Sequence, residues 1–407
     1  MKHRVAIIGG GAAGFFAALA CKAKSPDSEV VIYEKAKKVL SKVKVSGGGR
    51  CNVTNACFSI PELSRHYPRG GRFLKKAFHQ FYTEDTVQWF ETRGVRLVTQ
   101  EDNCMFPKTQ SSQTIIDCFW EEARALGVQA EVNARVSAIL PQEKGFSLVI
   151  REEQVQFDKV IVTTGGHPKR RGFEWLETLG HSIVEPVPSL FTFNMPDEPV
   201  TELMGIVVEP ASVRIQGTKL KSRGPLLITH WGMSGPAILL LSAWGARILC
   251  EKKYTFSIQV NWLDQAKDPE VRGKCEDHIQ EFPKRQLASR NPFYLPNRLW
   301  TYLLQKTGLA GDSIWSEVKG KKLNRLVNTL LNDVYHISGK TTFKEEFVTC
   351  GGVALDEIDV RTMESKVHKG LYFAGEVMDI DGVTGGFNFQ AAWTTGYIAG
   401  CSAASPE

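Results

Sequence analysis

"RVAIIGGGAAGFFAALACKAKSPDSEVVIYEKA", residues 4–36, reads as strand, glycine turn, helix, turn and strand. Val5, Ala6, Ile7 and Ile8 form a short continuous apolar run, the pattern of a parallel strand buried on both faces. Gly9, Gly11 and Gly14 supply G-x-G-x-x-G at the turn, and Phe15, Phe16, Leu19 and Ala20 carry the helix. "EVVIYE" is a second buried strand ending in Glu34, twenty residues past Gly14. The first glycine permits the tight turn and the second lets a diphosphate approach the backbone. The third lets helix and strand pack closely, with the N–H groups around Ala12 and Ala13 facing the anion. Glu34 is placed to accept hydrogen bonds from an adenosine ribose, so the unit predicts dinucleotide binding. Preceded by "MKHR", the same residues could be read as a signal peptide ending before Cys21, but cleavage there would destroy a well-formed unit.

A second glycine loop, "KVKVSGGGRCNVTN" (42–55), follows soon after Glu34, where a nicotinamide-binding Rossmann domain would continue into further βαβ units. That points to a larger cofactor. Near the other end, "GLYFAGEVMDIDGVTGGFNFQAAWTTGYIAG" (370–400) holds a buried strand, Glu376, a loop with Asp379 and Asp381, and then Gly385 and Gly386 opening an apolar helix. Glycines before a helix leave N–H groups aimed at a ligand, for which a flavin ring carbonyl is a suitable target. "KVIVTTGG" (159–166) is another buried strand running into Gly165 and Gly166. No second G-x-G-x-x-G marks a separate NAD(P)H domain, so a pyridine nucleotide, if used, docks from solvent as a transient donor.

The stretches "VAIIGGGAAG", "SGGGRCNVTN", "THWGMSGPAILLLS" and the block from "GGVALDEIDV" to "GYIAG" resemble the bacterial NAD(P)/FAD-dependent oxidoreductase flavoproteins, which include the YhiN-like, BaiN-like and aminoacetone oxidase-like proteins. The resemblance runs over nearly the whole chain. It implies an α/β fold of the glutathione-reductase type, with noncovalent FAD held by a Rossmann domain built from both chain ends. It implies that Gly9, Gly11, Ala12, Ala13, Gly14, Glu34 and Lys35 hold the ADP half, with Lys42, Val136, Thr164 and Gly165 among the cofactor contacts. Ser46, Gly47, Gly48, Gly49, Arg50, Cys51 and Asn52 would lie along the diphosphate and flavin. Gly375 and Glu376 would sit near the ribityl chain, and Asp381, Gly385, Gly386, Phe387 and Asn388 would flank the ring. The chain departs from the family in carrying Ser41, Lys42 and Val43 where a Gly-Arg-Lys is usual. It also has the short "HPKRRGFEW" where a longer glycine-rich segment follows the "TTGG" strand, a place where a substrate pocket could be closed.

Cys51 and Cys57 come near the C-x4-C of flavin disulfide reductases, but five residues separate them here. The extra residue rotates Cys57 by about 100° on a helix, and "NVTNA" is poor helix material, so neither thiol is expected to be a redox center. Nine cysteines without regular spacing, and no C-x-x-C, predict reduced thiols in a cytoplasm and no zinc site. The +6 net charge, from 50 basic and 44 acidic residues, is a modest excess that argues little for nucleic acid, and the clusters at 35–44 and 167–171 read as solvated loops. The apolar stretch "PAILLLSAW" is too short to cross a bilayer.

Between the two FAD-binding segments, expected at 1–189 and 346–407, lies an insert. "SLFTFNM", "GIVVEPASVRIQG", "PLLITHW" and "KYTFSIQVNW" predict a small β-barrel-like subdomain at 190–262, within which Ser234 and Pro236 read as a helix cap and first turn. Three stretches of helical spacing predict a helical subdomain at 263–345, and "TFKEEFVTCGGVAL" (342–355) a strand returning to the FAD domain. His230, in "THWGMSG", is the first candidate for a substrate-facing acid or base, with His167 below it; a histidine satisfied in the insert core is the alternative. The expected function is FAD-dependent oxidation or reduction of a small organic molecule, by reducing a C=C bond or oxidising an amine. A flavin-dependent RNA-modifying enzyme and a non-catalytic redox-responsive flavoprotein are the alternatives.

Overall fold

The computed structural model describes residues 3–289, 291–341 and 348–405. It forms two compact units, Met1–Ser189 with Phe343–Glu407, and Leu190–Thr342. The proposed start of the returning strand, at 342–347, lies outside the described residues; the strand itself runs Thr349–Val353.

The first unit is built on a five-stranded parallel sheet in the order Leu371–Phe373, Lys159–Val162, Arg4–Ile8, Glu29–Tyr33, Gln129–Glu131. Its three central strands are buried almost throughout, which is why they read as continuous apolar runs rather than alternating ones. Two helices, Ala12–Lys24 and Phe387–Ala403, lie against each other with their backbones nearly touching. A Cβ at Gly396 would come 2.7 Å from the Ala13 carbonyl oxygen, and one at Gly400 2.2 Å from that of Ala17. Beneath them Phe16, Trp89, Phe90, Phe119 and Trp393 pack as a fully aromatic core with ring centroids 4.8 to 6.3 Å apart.

The inserted unit holds a seven-stranded antiparallel sheet. Its edge strands, Asp333–Ile337 and Gly339–Thr341, are joined by Ser338 alone. One residue spans only about 3.5 Å, far less than the width of seven strands at about 4.8 Å each, so the sheet must curl until its edges meet. That is the barrel-like form expected. The two edge strands fall inside the stretch expected to be helical, so strands and helices share one unit rather than dividing at residue 262. Three helices, Asp268–Glu281, Asn297–Lys306 and Lys321–Asn332, cover this unit around Trp262, Trp300 and Trp315. A fourth, Pro236–Glu251, is capped by Gly235 rather than Ser234, which closes the preceding strand. Gly235 has φ +90, and a Cβ there would meet the Pro225 oxygen at 2.7 Å. Among the described residues no helix is long and apolar enough to cross a membrane.

Candidate cofactor site

The first strand ends at Ile8 and turns at Gly9, whose φ of +114 and closeness to the Thr163 oxygen exclude a side chain. Gly14 is equally constrained, since a Cβ would lie 1.9 Å from the Gly9 oxygen. Thr163 holds that oxygen with its hydroxyl at 2.8 Å. Gly11 caps the helix without a side-chain bond and a Cβ on it would meet open space, so the first-turn N–H groups around Ala12 and Ala13 are left for an anion. Glu34, just past the second strand, accepts from the Gly10 and Ala36 N–H groups, each at 2.8 Å. Each carboxylate oxygen keeps a lone pair for a ribose hydroxyl. Lys35 is exposed beside it.

Gly47, Gly48 and Gly49 take φ of +56, +67 and +83, three consecutive left-handed residues that only glycine adopts cheaply. A Cβ on Gly48 or Gly49 would touch nothing within 4 Å, so the loop faces free space a cofactor can fill. Ser46 accepts from the Cys51 N–H, and Arg50 donates to the Gly47 oxygen while its guanidinium covers the Phe106 ring at 4.2 Å. Cys51 is buried, and burial pushes its thiol up to about 12.

The glycine loop is strapped to the C-terminal helix. Asn52, with its amide oriented by its neighbours, accepts from the Gly386 N–H at 3.1 Å and donates to the Thr54 oxygen at 2.9 Å. Asn55 donates to the Gly385 oxygen, Thr54 to the Gln390 side chain, and Trp393 to the Val53 oxygen. A Cβ on Gly386 would lie 2.5 Å from the Thr54 backbone. Asn388 bonds both backbone groups of Gly382, and Phe387 opens the helix. Asp381 is fully buried, with Arg69 donating to both of its oxygens and Ser189 to one, so it anchors the loop. Burial pushes its carboxyl up even with the guanidinium beside it. Lys42 reaches Glu376 at 2.8 Å, and Glu376 lies 4.0 Å from where a Cβ of Gly165 would be. Gly375 sits against Ala13. Thr164 is exposed at the end of its strand, and Val136 opens a separate three-stranded antiparallel meander, 136–157, of the same unit.

Residues 9–14, 34–52, 164–165 and 375–388 are thus linked within one unit. His230 belongs to the other, exposed at the turn between strands Lys221–Thr229 and Gly232–Ser234 with its ring edge-on to Trp231. His167 binds its own loop through the Lys169 oxygen. Among the described residues no cluster suited to a metal ion occurs. Thr163, Arg69, Ser189 and Asn55 join the site as well; Asn55, inside the glycine-loop stretch, and Thr163, inside "KVIVTTGG", carry a local signal in the sequence, and Arg69 and Ser189 carry none.

The HI0933-like protein Rossmann domain family matches residues 3–402. The 3-dehydro-bile acid delta(4,6)-reductase of Clostridium scindens is 27% identical over 99% of both chains. The ribosomal RNA dihydrouridine synthase of Escherichia coli is 29% identical over 96% of this chain and 95% of its own. Among solved structures, a 3-ketosteroid-delta4-(5alpha)-dehydrogenase from Rhodococcus jostii, in complex with 4-androstene-3,17-dione, superposes with a TM-score of 0.53 at 13% identity, over 99% of this chain and 97% of that one. A flavocytochrome c3 fumarate reductase gives 0.52 at 17% identity, over 99% and 78%. These structures share the fold. The chain belongs to the HI0933-like Rossmann family of flavoproteins.

Proposed function

We propose that this FAD-dependent oxidoreductase reduces an electron-poor C=C bond, with NADH or NADPH as a transient donor docking from solvent. Bound FAD would supply a two-electron carrier between the nicotinamide and the carbon acceptor. The chain's residues bind and orient it. The helix start at Gly11–Gly14 takes the diphosphate, Glu34 the ribose, the loop Ser46–Asn52 lies along the cofactor, and the helix start at Gly386–Asn388 borders the ring.

The observation that carries the cofactor assignment is the Asn55–Gly385 bond at 3.1 Å, which ties the stretch that follows the left-handed glycine loop to the glycine-led helix start, so that both can face one ligand. The reaction type rests on the relatives: a delta(4,6)-reductase and a dihydrouridine synthase are both named for saturating a C=C bond. Their carriers differ, a small organic molecule and an RNA. The small molecule is the reading preferred here; the rRNA synthases, at 29% and 28% identity, support the second.

The test is anaerobic. The purified yellow protein is reduced with NADH or NADPH, then mixed with 4-androstene-3,17-dione, with ribosomal RNA, or with air. Reoxidation by the dione with loss of its enone absorbance supports the reading. Reoxidation by RNA alone moves the substrate to the second reading, and release of FMN or no flavin on heating defeats the cofactor assignment.

A further inference from the structure

His66 follows the short helix Ile60–Ser64 and is fixed against the helix start that borders the proposed ring position. Its imidazole lies flat on Phe387, with centroids 4.1 Å and planes 11° apart. Its backbone oxygen accepts from the Val383 N–H at 2.9 Å, and the next residue, Tyr67, donates its hydroxyl to the Phe387 oxygen at 2.7 Å. Backbone and ring are therefore both held on 383–387, the segment containing Gly385 and Gly386. The side chain is half-buried, and among the described residues neither ring nitrogen has a hydrogen-bond partner. Half-buried and without such a partner, the ring nitrogens are open to solvent and to a ligand, while the stack on Phe387 fixes the plane in which they point. Burial holds the imidazole below its ordinary value against the opposing pull of Glu62, the charged group facing it, so at pH 7 it is neutral with one N–H to donate and one nitrogen to accept.

We propose that His66 is a catalytic residue of this oxidoreductase whose ring N–H donates to the carbonyl oxygen of an acceptor in which the C=C bond is conjugated to that carbonyl. The inference rests on the reading of the reaction as C=C reduction. When a hydride arrives at the carbon β to the carbonyl, its two electrons form the new C–H bond and the π electrons move to oxygen, giving an enolate. The His66 N–H···O bond strengthens as that charge develops. The α carbon then takes a proton from water, and His66 keeps its own. A neutral imidazole suits this task, since it donates without needing to be recharged after each turnover.

The experiment uses the holoprotein with 4-androstene-3,17-dione as probe, comparing His66→Phe, which keeps the stack on Phe387, and His66→Gln, which keeps a donor. Losing one donor at a developing oxyanion costs about 10²–10³-fold in rate. His66→Phe should reoxidise with the dione about 10²-fold more slowly, with flavin content and the rate of reduction by NAD(P)H unchanged, and His66→Gln should recover about tenfold of that loss. Independently of activity, the imidazole Cε1–H proton resonance that vanishes in His66→Phe should shift when the dione is added to the oxidised protein. An unmoved resonance together with wild-type reoxidation of His66→Phe overturns the assignment. Failure of the wild type itself to be reoxidised by the dione would sink the reaction reading and this inference together, and it is recognised before any variant is made.

Discussion

Lys42 and Glu376 are 334 residues apart in sequence and close an ion pair at 2.8 Å. The pair joins the turn leading into the glycine loop to the end of the Leu371–Phe373 strand, at a position where the chain departs from the usual Gly-Arg-Lys. The Lys42 side chain is 53% exposed, so the pair adds little stability, about 0.2–1 kcal/mol. Its effect should fall on the ligand. Lys42→Met is expected to unfold in urea within about 1 kcal/mol of the parent, yet to bind FAD several-fold more weakly, measured by fluorescence of dissociated flavin. An unchanged FAD affinity would mean that the pair does not steady the cofactor loop.

Two glycines separate cofactor space from protein packing. Gly48 has φ +67 and nothing within 4 Å of a Cβ, whereas a Cβ on Gly386 would strike the Thr54 backbone at 2.5 Å. Gly48→Val should therefore leave a folded apoprotein, weakened by about 1–3 kcal/mol of left-handed backbone strain, that no longer retains FAD. Gly386→Val should destabilise the apoprotein itself, because the strap from Asn52 to Asn55 cannot close. Equal melting temperatures of the two apoproteins would contradict this division.

Cys51 takes φ +61, is fully buried, and has its thiol pushed up to about 12 by burial. Cys57 is half-buried, its thiol raised by burial as well. Neither is a thiolate at neutral pH, and only the thiolate is a nucleophile. Cys51→Ser, Cys57→Ser and the double variant should keep the flavin and the parent's rates of reduction and reoxidation. A thiolate-to-flavin charge-transfer band in the reduced parent, abolished by either change, would instead establish a dithiol center.

The glycine-turn unit was legible because its requirements are local. Strand burial, glycine spacing and the following acid all lie within 31 residues, from Arg4 to Glu34. The glycine loop and the C-terminal helix start were legible one at a time, since runs of glycine flag backbone that other residues cannot adopt. What joins them was not. Asn52 to Gly386, Arg69 to Asp381 and Ser189 to Asp381 are contacts between residues far apart in sequence, and an arginine in "HYPRGG" shows no periodicity that distinguishes a buried partner from a solvated one. The sheet edge at 333–341 was hidden for another reason. Asp333–Ile337 continues without a break from a strongly amphipathic helix, and a five-residue strand adds too little alternation to end a helical pattern.

His181 gives the pH dependence of the first unit. Its side chain is fully buried, with Nδ1 3.1 Å from Glu357 and Nε2 3.2 Å from the Ser365 hydroxyl. That hydroxyl already accepts from the Val367 and His368 N–H groups, so its one proton goes to Nε2 and the histidine proton sits on Nδ1, donated to Glu357. The arrangement is a buried brace, since the serine oxygen is committed and enclosed. Burial holds His181 below its ordinary value although Glu357 pulls the other way. Glu357 is lowered in turn: burial alone would raise it, but hydrogen bonds from Ser182 and His181 prevail. The unfolded chain thus takes up a proton near pH 6.5 that the folded chain refuses, so this part of the stability is present above 6.5 and is lost as the pH falls toward the lowered folded value. The Glu357 contribution is lost further down, below about 4.5. In urea unfolding at pH 7.5, 6.0 and 5.0, His181→Gln should be less stable than the parent at pH 7.5 by about 1–3 kcal/mol, the cost of leaving buried partners unsatisfied. Between pH 6.5 and 5 it should lose stability more slowly than the parent. His66, also held low by burial, keeps part of the slope, so His66→Phe combined with His181→Gln should flatten it further. A His181→Gln slope identical to the parent's would show that folding leaves the proton uptake of His181 unshifted, and a parent that loses stability more slowly than His181→Gln would show that the histidine carries its second proton in the fold, as an ion pair with Glu357.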